Sequence, residues 1–62
     1  MIRTEYVILV QKWYYNRTGG YNYIWVEYRG YRYLDIEDAA KDFKMLNEQG
    51  INAILREVVV NV

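Results

Sequence analysis

Between Asp35 and Gly50 this chain of 62 residues carries its one strong helical pattern, bracketed on both sides by β-forming sequence. Asp35 is a good N-cap, Glu37 and Asp38 suit the positive end of the helix dipole, and Gly50 suits the left-handed residue past the last turn. The spacing predicts a helix from Asp35 to Gln49. At about 100° per residue, Ile36, Ala39, Ala40, Phe43 and Leu46 form one apolar stripe, with Met45 on the opposite side. So short a helix must bury that stripe on a sheet made from the rest of the chain. The length allows one core, so residues 1–62 are expected to form a single small α+β domain.

Thr4 to Tyr15 and Tyr21 to Tyr28 are rich in β-branched and aromatic residues, and Asn16-Arg17-Thr18-Gly19-Gly20 between them has turn composition. Two antiparallel strands follow. Arg29-Gly30 predicts a two-residue turn into a short third strand, Tyr31 to Leu34, although arginine is a poor first residue for such a turn and a glycine bulge within one longer strand is the alternative. The hairpin register sets Tyr28 opposite Tyr31 and Glu27 opposite Arg32. It places Ile24, Val26, Tyr28, Tyr31 and Tyr33 on one face and Tyr21, Tyr23, Trp25, Glu27, Arg32 and Leu34 on the other. Ile51 to Val62 reads as the last strand, with Ala53 and Leu55 on one face and Ile54, Val58 and Val60 on the other. A helix between two strands favours a right-handed crossover to a parallel strand. The expectation is therefore a four-stranded mixed sheet, β-β-β-α-β with order 3-2-1-4, and the helix on one face.

Ten of the eleven aromatic residues, all eight tyrosines and both tryptophans, precede Leu34. One helix cannot cover so many rings, so part of this set is expected on a face open to a partner. Tyrosine, tryptophan and arginine are the types enriched at binding hot spots, because they bring large contact area with few torsions and a polar tip. The residues expected to carry binding are Trp13, Tyr15, Tyr21, Tyr23, Trp25 and Arg32.

Formal net charge is zero, which gives no global attraction to nucleic acid or membrane. The distribution is uneven, with an excess of three positive charges up to Tyr33 and three negative charges from Leu34 on. Histidine, cysteine and serine are absent, and Thr4 and Thr18 are the only aliphatic hydroxyls. Acyl transfer by a nucleophile and base is therefore hard to build, zinc loses its usual ligands, and neither an enzyme nor a bound cofactor or metal is expected. Gly19-Gly20 is a hairpin loop and not a phosphate cradle, since no Lys-Ser or Lys-Thr follows it. Asn16-Arg17-Thr18 matches the glycosylation triplet without an export signal near it. Absent cysteines, no visible signal peptide and apolar runs no longer than Tyr6 to Val10 predict a cytoplasmic protein without a membrane span.

Arg29-Gly30-Tyr31-Arg32-Tyr33-Leu34-Asp35-Ile36 resembles the octapeptide on the third strand of RNA-recognition motifs. The resemblance implies that Tyr31 and Tyr33 stack bases on an open sheet. The stretch departs from that pattern at Arg32, where a small residue belongs, and at Ile36, where an aromatic belongs. The chain is also too short for the family's first helix, so it is not assigned to that family. In style, a small, cysteine-free, tyrosine-rich single domain is similar to phage and mobile-element accessory proteins, which implies an inhibitor that blocks a host factor.

The leading expectation is a non-catalytic module that presents an aromatic and basic sheet face to a protein partner. Single-stranded nucleic-acid binding through the same Tyr, Trp and Arg residues is the second reading. A purely structural homodimer is the third. At this size ordering entropy is offset only narrowly by apolar burial, and with no disulfide or zinc available, unusually good packing or self-association are the remaining means of stabilisation.

Overall fold

The computed structural model describes residues 1–62 throughout. Strand β1 (Ile2–Asn16) turns at Arg17-Thr18-Gly19 and returns as β2 (Gly20–Glu27). A single 3-10 turn, Tyr28–Gly30, precedes helix α1 (Ile36–Glu48), and β3 (Ala53–Asn61) closes the chain. The sheet has three strands in the order β2-β1-β3, and β1 is antiparallel to both neighbours. No helix is long and apolar enough to cross a membrane.

The α+β class stands, but the four-stranded mixed sheet does not. Arg29-Gly30 does not reverse the chain. β2 pairs with β1 as far as Leu9 opposite Glu27, a register that would next set Gly30 opposite Tyr6, yet Tyr33 occupies that place. The chain thus keeps its direction along β1, while Tyr28–Gly30 loops out as a three-residue insertion with Arg29 at φ 61° and Gly30 at φ 72°. Tyr6 and Tyr33 exchange backbone bonds of 2.8 and 2.7 Å. A hairpin turn and a bulge both call for positive φ at the glycine, so local sequence satisfies either. One missing reversal then inverts everything after it. β3 lies beside β1 as expected for the first and last strands, but antiparallel to it, and the helix crosses from β2 to the parallel β3 over the strand between them.

The helix is well delimited. The Asp35 carboxylate accepts from the Glu37 N–H at 2.9 Å, and Gly50 adopts φ 79° after the last turn. Its buried face is rotated from the expected stripe: Ala39 and Leu46 are buried, Phe43 and Met45 pack beside them, and Ile36 and Ala40 are exposed. The rotation brings Asp42 to Tyr33 and carries Met45 to the rim of the core. The core consists of Ile8, Tyr33, Ala39 and Leu46, with Tyr6, Val10, Tyr28, Ala53 and Leu55 around it.

Length decides what the helix leaves bare. Thirteen helical residues span about 20 Å, whereas fifteen strand residues span about 50 Å. The helix covers the half of β1 that pairs with β3, and the β1–β2 hairpin continues beyond it as a two-stranded ribbon. Hence the molecule measures 47 × 27 × 14 Å, and its radius of gyration is 14.0 Å against about 11 Å for a compact chain of this length.

Candidate functional site

Along β1 the odd-numbered side chains point away from the helix, and the register carries that parity into β2. Trp13 lies opposite Tyr23, Tyr15 opposite Tyr21, and Gln11 opposite Trp25. Five rings therefore line one face of the ribbon. Ring centroids are 5.1 Å apart for Trp13 and Tyr23, 5.4 Å for Tyr15 and Tyr21, and 6.2 Å for Tyr23 and Trp25, with tilted or edge-on planes. These are favourable aromatic geometries, contributing about 0.5–1.5 kcal/mol per pair beyond area burial. The rings support one another but nothing covers them. Relative exposure runs from 39% at Trp25 and 49% at Tyr23 to 57% at Trp13, 65% at Tyr15 and 72% at Tyr21.

Arg32 does not join the ladder. It lies past the lower end, where its guanidinium donates to Glu27 at 3.4 Å and to Glu5 at 3.5 Å. Glu5 also accepts two bonds from Arg3, at 3.0 and 2.7 Å, and is almost fully buried. Sequence reasoning set Glu27 opposite Arg32, a pair the structure keeps, but missed the part of the network that Glu5 and Arg3 supply. Its trace was the alternation of Arg3, Glu5, Val7 and Leu9, which shares the parity of Trp13. With Val58 and Arg56 from β3 these residues continue the helix-free face below the ladder.

The remaining basic residues are scattered. Lys12 projects from the other face of β1, Arg17 sits in the hairpin turn, and Arg29 lies over the Tyr28 ring, 5.2 Å from its centroid. A hydrogen bond to the Tyr31 hydroxyl, at 3.5 Å, holds the Arg29 guanidinium still more firmly in its charged form. No run of cations tracks the rings.

The octapeptide resemblance fails on geometry. Tyr33 is 5% exposed and faces the helix, where its hydroxyl donates to Asp42 at 2.6 Å; Tyr31 leans on it, with centroids 5.1 Å apart. A base cannot stack on a ring already sealed beneath a helix. Beside this pair lies an open groove of about 390 Å³, with Asp38, Lys41 and Leu34 on its walls. No three acidic side chains converge into a metal site.

Burial first, and the bond to Asp42 second, push the Tyr33 hydroxyl well above its ordinary value. As pH rises past about 10 the unfolded chain gives up this proton before the folded one. The stability linked to Tyr33 is therefore complete below about pH 10 and is lost as pH climbs toward the raised folded-state value. Tyr33→Phe is expected to cost about 1–3 kcal/mol at neutral pH, because Asp42 loses its donor, and to flatten the alkaline fall in urea midpoint. Equal slopes for wild type and variant between about pH 9 and 11 would show that Tyr33 does not govern it.

Comparison with protein-family models, with curated proteins and with solved structures gave no match.

Proposed function

We propose that this protein is a non-catalytic, cytoplasmic protein-binding module whose contact surface is the helix-free face of the β1–β2 ribbon. The observation that carries the reading is the exposed ladder of Trp13, Tyr15, Tyr21, Tyr23 and Trp25 on a part of the sheet with no second layer. Rings held by cross-strand neighbours lose little side-chain entropy on binding, which makes them effective anchors. Arg32 serves at the rim, where its tie to two carboxylates fixes its direction. In the absence of catalytic groups, occupying the partner's surface is itself the effect such a module exerts, in the manner of phage accessory proteins that block a host factor.

The dispersal of the cations favours a protein over a nucleic acid. Single-strand binders combine stacking rings with a basic groove that follows the backbone. Here Lys12, Arg17, Arg29 and Arg32 lie on different faces, and Arg32 is already neutralised by Glu5 and Glu27. Titrating labelled single-stranded oligonucleotides at physiological salt is expected to show no binding up to about 100 µM, the weak end of non-specific affinity. Micromolar binding that falls log-linearly with salt, by about 0.7 per phosphate neutralised, would promote the stacking-platform reading.

A further inference from the structure

The sheet contains a step. β3 pairs with β1 only as far as Ala53 opposite Val10, and the Asn52 carbonyl accepts from the Gln11 N–H at 3.0 Å. The Asn52 side chain also donates to Gln11 at 2.7 Å, sealing the end of the pairing. β1 runs on to Asn16, so residues 12–16 have a partner in β2 and none on the other edge. Even-numbered residues of β1 bond toward the β2 side, as Tyr6 does to Tyr33, and odd-numbered ones toward β3, as Gln11 does to Asn52. The N–H and C=O groups of Trp13 and Tyr15 therefore face an empty strand position. Proline and bulges are absent from this stretch, and Lys12 at its start is its one charge, so the edge from Trp13 to Asn16 carries none of the usual protections.

We propose that a second copy of this chain fills the step, pairing its own residues 12–16 antiparallel to residues 12–16 of the first about a two-fold axis at Tyr14. The inference rests on the ribbon's geometry and not on the binding reading above. Asn52 blocks any strand residue opposite Gln11, and each strand ends at the turn after Asn16. The symmetric register that fits between those two limits sets Lys12 opposite Asn16, Trp13 opposite Tyr15, and Tyr14 opposite its own copy. It forms backbone bonds between Trp13 and Tyr15 in both directions. It places no like charges face to face, and the zero net charge of each chain offers no long-range repulsion. Parity is kept, so the ladder continues across the axis with Tyr23, Trp13, then Tyr15 and Tyr21 of the second copy in one row. The rings remain open to a further partner.

The surface is in keeping with a chain that completes itself by association. Six of its 62 residues are buried, and its accessible area is 4928 Å² against about 4300 Å² for a folded monomer of 7.6 kDa.

The chain has no cysteine, so a single introduced thiol reports the axis directly. Tyr14→Cys is expected to oxidise to a disulfide-linked dimer at micromolar concentration, since directly opposite residues of a non-hydrogen-bonded pair sit about 4.5 Å apart at Cα. Val59→Cys, exposed on β3 and far from the axis, is expected to form no disulfide-linked dimer under the same conditions. Sedimentation of the unmodified chain is expected to give twice the 7.6 kDa mass. A synthetic chain with an N-methyl group on the Tyr15 amide is expected to return to a monomer with its circular dichroism unchanged, because that N–H has no partner within the chain. Tyr23→Ala is expected to stay dimeric. A monomer at hundreds of micromolar, a dimer indifferent to the N-methyl group, or equal cross-linking of the two thiol variants would each overturn the proposal.

Discussion

Ile8→Ala is expected to cost about 2–5 kcal/mol and to leave the protein largely unfolded at 37 °C, as read by urea denaturation and thermal melting. Ile8 lies mid-strand in β1, opposite Leu55, and is the only large side chain with no exposed surface. It touches the one core this molecule has, where Tyr33, Ala39 and Leu46 meet the sheet. Truncation removes both the transfer free energy of the lost methylenes and the contacts around the cavity they leave. A domain near 60 residues has only about 3–5 kcal/mol of stability to lose. Val59→Ala supplies the contrast: an exposed β3 residue whose truncation is expected to change stability by less than about 0.5 kcal/mol. A cost below about 1 kcal/mol at Ile8 would place the true core elsewhere.

The two long strands of the hairpin, the last strand, their faces and the ends of the helix were legible because period and capping are local, whereas the expected third strand and the helix phase were not. Asp35 and Gly50 mark the helix ends through side-chain and backbone preferences that need no tertiary partner. The odd-numbered rings on either side of the Asn16–Gly20 turn share a face in any hairpin whose register keeps Trp13 opposite Tyr23. Strand direction was not legible. Gly30 meets the needs of a reversal and of a bulge alike, and the choice falls to tertiary contacts outside the turn: the distant pairing of Tyr6 with Tyr33 and the bond from Tyr33 to Asp42 on the helix. The helix phase was lost for the same reason: a stripe drawn from apolar residues alone could not foresee that Asp42 faces inward to a tyrosine. The length of the bare ribbon, in contrast, follows from the rise per residue of a strand against that of a helix.

The ladder and Arg32 stand in different relations to the sequence. Alternation alone gathers the five rings, since each step of two residues returns to the same face. Arg32 depended on the hairpin that does not form. In the observed fold it still lies near Glu27, through the looped-out turn, but at the end of the ladder and within the Glu5 network.

Tyr23 is the ring on which the ladder's middle rests, touching both Trp13 and Trp25. It is half exposed, so Tyr23→Ala is expected to lower stability by only about 1 kcal/mol, the worth of its cross-strand pairs. At the centre of an interface the same truncation is expected to cost at least about 2 kcal/mol of binding, a loss of affinity of about 30-fold. The decisive measurement is quantitative affinity capture from the source organism's lysate, followed by titration of the captured protein against wild type and Tyr23→Ala. The ladder reading predicts a defined protein bound by wild type, released by Tyr23→Ala while the variant remains folded, with affinity nearly independent of salt. Equal affinity for the two proteins, or capture only of nucleic acid that washes off with salt, would contradict it.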